Sequence, residues 1–305
     1  MHKGLYASVA LLIGAAACQV VEAPDPQSGL TISISADSVY EDDGTPETKA
    51  VIHGTKMYWT PGDTLGVFPG KGSQVYFIVD TEGEALSAPF DGGYWEFKTG
   101  EDYVYRSYYP LVGQFYLDPA RIPVQYYKVK DGEIMVQDQK GNDSSVHTSE
   151  YLYMYTDPQK VVNGRISFTY HHLWTVLKPE VTLPAGHYTK LTFSLDEPLF
   201  VVKGYFDLTS TAPAIVGTEF ADEVSMNLDI ILGDSATLTA YYATAPLDMR
   251  GKNLTITITE ESGTEFSYDY SPSKAYVAGT TYRLACKKSF SGNGIDGLGE
   301  TGFNW

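Results

Sequence analysis

Short runs of alternating apolar and polar residues, each closed by Gly, Pro, Asp or Ser, recur along almost the whole chain. They leave room for little except β-structure. Residues 64–68 (TLGVF) lie between Pro61-Gly62-Asp63 and Pro69-Gly70-Lys71-Gly72, where Pro and Gly occupy positions that tight turns favour. Comparable runs fall at 30–36, 75–79, 94–97, 103–109 and 134–137. In the second half they fall at 165–170, 175–183, 190–195, 204–208, 224–231, 238–244, 254–259, 265–270 and 281–287. A period of two sends successive side chains to opposite faces of a strand. Helical period is nearly absent: the one window that hints at it, 173–177, contains Val176 and is followed by Pro179. Closely spaced short strands without intervening helices predict an all-β protein of sandwich type, with a single large barrel as the competing architecture.

The segment 157–164 is polar and contains Pro158 and Gly164. It divides a Tyr-rich first half from a Thr- and Leu-rich second half. Two β-sandwich domains are therefore expected, at 50–163 and 164–305, the latter ending in a Gly-rich tail. The net charge of −17 argues against a nucleic-acid partner, which needs clustered Lys and Arg on its phosphates. The chain has two Cys, Cys18 and Cys286. If Cys18 is used elsewhere, no internal disulfide can form and the fold must be held by its core.

Residues 1–17 have the layout of an export signal. His2 and Lys3 precede an apolar run at 5–13, and the small residues Ala15, Ala16 and Ala17 precede Cys18. That order suits secretion, and the apolar run is shorter than the ~20 residues a membrane span requires. A Cys at the cleavage point adds lipidation, so Cys18 is the expected point of attachment to membrane lipid. Residues 18–49 then read as a tether followed by a first strand whose apolar positions are Leu30, Ile32 and Ile34. Beyond it, 37–48 is acidic and polar, with no apolar face to bury, and reads as a long exposed loop.

Catalytic signatures are missing from the sequence. There is no Gly-rich phosphate loop, no Cys-x-x-Cys pair, no His-Glu-x-x-His helix and no Gly-x-Ser-x-Gly elbow. His171 and His172 are adjacent, so on a strand they point apart and cannot share an ion unaided. Glu260-Glu261 and Asp42-Asp43 are sequence neighbours rather than the separated, differently tuned pair that glycoside hydrolysis needs. The expectation is a protein that is not an enzyme and carries no metal or cofactor. The Tyr clusters at 103–109, 126–127 and 151–155, with Trp59, Trp95 and Trp174, admit two readings. They could stack on sugars, as in a surface glycan-binding lipoprotein, or fill a sandwich core with their hydroxyls reaching polar partners.

Five segments, in order, resemble the fimbrillin family, the subunits of type V pili and their lipoprotein relatives. They are 56–68 (KMYWTPGDTLGVF), 105–110 (YRSYYP), 166–173 (ISFTYHHL), 242–248 (YATAPLD) and 276–282 (YVAGTTY). The resemblance implies two tandem transthyretin-like β-sandwich domains at the cell outer membrane. It also implies assembly by strand exchange: a trypsin-like protease cuts after Arg or Lys, the N-terminal segment leaves with its first strand, and another subunit donates a strand to the vacated groove. On this chain the removable strand would carry Leu30, Ile32 and Ile34, and the cut would follow Lys49. The tail 289–305, with Ile295, Leu298, Phe303 and Trp305, would be the candidate donor. The implied partners are other pilin subunits.

Overall fold

The alternating runs are realised as strands. A computed structural model describes residues 19–22, 30–35, 51–53, 56–70, 72–91, 98–112, 117–130, 133–163, 165–234 and 236–286. In chain order the strands begin with β1 Gln19–Glu22, β2 Leu30–Ser35, β3 Val51–His53, β4 Lys56–Tyr58, β5 Thr64–Phe68, β6 Val75–Val79, β7 Pro89–Asp91 and β8 Arg106–Tyr109. They continue with β9 Ile122–Gln125, β10 Lys128–Lys130, β11 Glu133–Met135, β12 Gln137–Lys140, β13 Met154–Thr156, β14 Arg165–His172, β15 Thr175–Leu183, β16 Gly186–Leu195 and β17 Phe200–Phe206. The last are β18 Val216–Ala221, β19 Glu223–Leu232, β20 Ala236–Thr239, β21 Tyr242–Thr244, β22 Leu247–Asp248, β23 Leu254–Glu260, β24 Glu265–Tyr270, β25 Ala275–Tyr276 and β26 Thr280–Cys286. A short 3₁₀ turn, Val146–Tyr151, precedes β13. Among the described residues no helix is long and apolar enough to cross a membrane.

Local chemistry sets these boundaries. Between β4 and β5 the Asp63 amide donates to the Thr60 carbonyl at 3.2 Å, and Gly62 sits at φ 85°. Pro at the second position and Gly at the third are what a type II turn requires. Where strands run longest, alternation is clean. Along β19, Val224, Met226, Leu228, Ile230 and Leu232 are buried while the intervening residues are not. Gly66 in β5 answers a packing need: a Cβ there would lie 2.0 Å from Cε1 of Tyr108, so the aromatic ring occupies the space a side chain would take.

The protein is all-β, with its buried residues in two clusters. The first lies within a closed ring of strands ordered β13-β14-β2-β7-β6-β5-β8, around Trp59, Phe90, Tyr109, Phe168 and Tyr170. The second fills a sandwich between two five-stranded sheets. One sheet has the order β1-β26-β15-β20, with β21 also on β15, and the other β12-β19-β16-β23-β24. A third sheet, β18-β17-β9, flanks them. Sheets are shared across residue 163. β9 pairs antiparallel with β17, β12 runs parallel to β19, and β14 lies in the first ring between β13 and β2. The two core clusters meet where β14 hands over to β15 through Leu173 and Trp174, both buried.

Candidate functional site

The strand expected at 30–36 is present as β2 and occupies an interior position, but it is not the first: β1, Gln19–Glu22, lies within the residues read as a tether and pairs with β26. β2 pairs antiparallel with β14 over its whole length, from Ser35 opposite Arg165 to Leu30 opposite Tyr170. Its other edge runs parallel to β7, with Ser33 opposite Pro89 and Ile34 opposite Phe90. Opposed residues of an antiparallel pair share a face. The register sets Leu30, Ile32 and Ile34 against Tyr170, Phe168 and Ile166, which are the three buried residues of β14. Thr31, Ser33 and Ser35 oppose Thr169, Ser167 and Arg165, whose positions are exposed. The period-two pattern therefore fixes which way β2 can enter: a slip of one residue would put its polar set at the core positions. Both neighbours of β2 are remote in sequence, and residues 36–50 join it to the following strand. Cys18, Lys49 and the tail residues Ile295, Leu298, Phe303 and Trp305 lie outside the described residues, as do Trp95 and Asp42-Asp43.

The aromatic residues weighed as sugar platforms are mostly core. Trp59 is fully buried, with edge-on contacts to Phe90, Tyr109 and Tyr170, and Trp174 is buried with its indole N–H donating to His172 Nδ1 at 3.0 Å. A ring enclosed on both faces cannot stack on a ligand, so neither Trp serves a glycan. Tyr105, Tyr108, Tyr109, Tyr126, Tyr151 and Tyr153 are likewise buried. Several of their hydroxyls reach internal acceptors, although that of Tyr126 has none among the described residues: Tyr108 donates to Gln74 Oε1 at 2.6 Å, Tyr109 to Asp63 Oδ1 at 3.0 Å and Tyr153 to the Gln125 carbonyl at 2.9 Å. Burial pushes the Tyr153 phenol up to about 12, so it stays a neutral donor.

The adjacent histidines diverge, as their positions on β14 require. His171 faces Asp157, Nε2 to Oδ2 3.0 Å. His172 turns inward against Trp174 and Gly279, and burial pushes its imidazole down to about 4. The paired carboxylates separate too. Glu261 reaches His187 Nδ1 at 3.2 Å, while Glu260 accepts from the Ser262 hydroxyl at 2.7 Å. His187 also meets Asp229 through Nε2 at 3.0 Å; the two carboxylates raise its pKa, hydrogen bonding to Glu261 contributing most. Among the described residues no three His, Cys, Asp or Glu side chains are grouped to hold a metal.

The arrangement at β2 can do something mechanical. A strand contributed by the N-terminal segment completes a sheet, in register with the buried residues Ile166, Phe168 and Tyr170 of β14. Its loss would expose the facing edges of β14 and β7.

No family model and no curated protein matches the chain. Two solved structures align over most of its length at low similarity, both of Bacteroides proteins with a proposed role in cell adhesion. The one from Bacteroides ovatus ATCC 8483 is 12% identical, covers 85% of this chain and 92% of that chain, and gives a TM-score of 0.48. The one from Bacteroides eggerthii DSM 20697 is 11% identical, covers 86% of each, and gives 0.37. Alignments this loose transfer neither a fold nor a role.

Proposed function

We propose that the chain is a fimbrillin-like structural subunit of a type V cell-surface pilus, used in adhesion and without enzymatic activity. It is exported as a lipoprotein precursor, held at the outer membrane by lipid on Cys18, and assembled by strand exchange once a trypsin-like protease cuts after Lys49. One observation carries this reading: β2 is hydrogen-bonded as an interior strand, yet belongs to a segment that one cut in 36–50 would sever from the rest.

The physical sequence is direct. With β2 in place, the backbone groups of β14 and β7 are paired and Ile166, Phe168 and Tyr170 are covered. Cutting the connection makes β2 a separate peptide. Its departure leaves an unpaired edge beside apolar side chains, which another strand can fill. An incoming strand restores main-chain hydrogen bonds, and alternating apolar residues fix its register. The tail containing Ile295, Leu298, Phe303 and Trp305 is the donor in this scheme.

Mass spectrometry of the protein taken from its native surface tests the scheme. Assembled subunits should begin at Ala50 and precursor at acylated Cys18. SDS-resistant ladders should form with the intact chain and vanish when residues 289–305 are deleted. A surface population that begins only at Cys18 and runs only as monomer overturns the proposal.

A further inference from the structure

The N-terminal segment closes a second sheet besides the one that contains β2. β1 pairs antiparallel with β26, Gln19 opposite Ala285, Val20 opposite Leu284, Val21 opposite Arg283 and Glu22 opposite Tyr282. The other edge of β26 is taken by β15, which runs parallel from Thr175 opposite Thr280 to Val181 opposite Cys286. β1 is thus the outermost strand of that sheet, and among the described residues β26 has no other strand on its outer side.

The far edge of the same sheet is closed by different means. Gln137 brackets the backbone of Ala243, donating to its carbonyl at 2.7 Å and accepting from its amide at 3.0 Å. Gln139 donates to the Thr239 carbonyl and accepts from the Tyr241 amide, both at 2.9 Å. Asn142 donates to the Thr237 carbonyl at 2.8 Å and accepts from the Thr239 amide at 2.7 Å. Three side-chain amides, together with His147 Nε2 on the Tyr241 carbonyl at 2.7 Å and the Asp143 amide on the Thr239 carbonyl at 3.0 Å, therefore occupy outward backbone groups at 237, 239, 241 and 243. A further strand could enter there only by expelling all three. The edge of β26 is closed by four residues of the same N-terminal arm that carries β2.

The two docking points of the arm lie close along the fold. Leu30 stands opposite Tyr170 near the end of β14. Glu22 stands opposite Tyr282, and Tyr282 is itself opposite Leu177 near the start of β15. The Gly279 amide donates to the Trp174 carbonyl at 2.7 Å, holding the start of β26 against the junction of β14 and β15. The connection from Glu22 to Leu30 spans up to about 28 Å when extended, so one arm reaches both sheets.

We propose that the outer edge of β26 is a second strand-acceptor site, capped by β1 while the arm is in place. Its ligand once the arm has left is the Gln19–Glu22 strand of a second copy of this chain that still carries its own arm. The inference rests on the proposal that the arm is released. The ligand is chosen by fit: each copy carries the one tetrapeptide already matched to β26 in direction and register. Main-chain hydrogen bonds supply the attraction and the opposed residues set the alignment. Release of one arm then opens two sites that differ in position and in the strand they accept.

Hydrogen exchange on the full-length chain tests this. Val21→Pro removes a donor from β1 and should speed exchange in residues 280–286 by roughly tenfold or more, as amides pass from a paired strand to an open edge. Exchange in 165–172 should not change. A synthetic peptide of residues 19–29, added in excess to this variant, should restore protection in 280–286 alone. Unchanged exchange in 280–286 overturns the proposal, and so does peptide addition that restores nothing there. Ser33→Pro reports on β2 separately. If it leaves 165–172 unaffected, the removable-strand reading fails, whatever happens at β26.

Discussion

Asp63 has no solvent exposure, and its carboxylate organises the turn before β5. It accepts from the Thr60 amide at 2.8 Å and from the Tyr109 hydroxyl at 3.0 Å, tying a local turn to a strand 46 residues away. Asp63→Ala would leave both donors buried without this acceptor, a loss of about 3 kcal/mol. Urea unfolding should show it as a lower midpoint at unchanged slope, with Asp63→Asn intermediate. His147 and His172 make stability depend on pH. Burial pushes both imidazoles down to about 4, below the ordinary ~6.5 of the unfolded chain. Between those values the unfolded state binds more protons, so stability is full above pH ~6.5 and falls as the solution is acidified toward 4. Each ring keeps some contact with water, which limits the loss to about 2 kcal/mol per site. Unfolding midpoints at pH 7.5 and pH 4.5 measure it, and His172→Gln should flatten the difference. At this scale the sequence left the aromatics open between two roles. Only the positions of neighbouring rings and acceptors show that Tyr108, Tyr109 and Trp59 are core.

Elements with one buried face were legible from the sequence, because burial imposes the alternation that sequence displays. β14, β15, β19, β23 and β24 fall within two residues of their expected bounds. β18 was missed: Val216 and Phe220 are exposed, and a strand with no buried face carries no such pattern. β9 and β12 are short, and β12 is filled by Gln and Asp because its buried Gln137 and Gln139 serve as hydrogen-bonding tools. Gln139→Leu should therefore cost about 1–3 kcal/mol despite being apolar and buried, since it strands the Tyr241 amide, while the Thr239 carbonyl keeps the Asp143 amide as a donor. Faster exchange of the Tyr241 amide would mark the site. For β2 the register predicts a contrast between faces. Ile32→Asp, opposite buried Phe168, should cost about 3 kcal/mol or more, whereas Thr31→Lys, opposite exposed Thr169, should be nearly neutral. Equal effects in urea unfolding would contradict the register.

For the whole molecule, the pairings that cross residue 163 have a consequence for assembly. β9 with β17, and β12 with β19, hold the two cores in common sheets independently of the arm. Loss of β1 and β2 would therefore open edges on a body that other strands still join. In this scheme a chain folded intact and then cut after Lys49 should self-associate through the β14 edge, and should take up uncut chain, which still carries residues 19–22, at the β26 edge. Excess peptide of residues 30–36 should suppress association through the β14 edge and leave association through β26 untouched. Size-exclusion chromatography with each peptide separately, then both together, distinguishes the contributions.

Periodicity and turn chemistry by themselves determined that the chain is all-β, where most strands with a buried face run, and which positions of residues 30–35 can face a core. These are local consequences of alternation, and alternation is written residue by residue. Strand order, the partners of β1 and β2, and the closure of an edge by Gln137, Gln139 and Asn142 were decided only in the tertiary structure. Each depends on which distant backbone presents unpaired groups at the right spacing, and no short window of sequence carries that information.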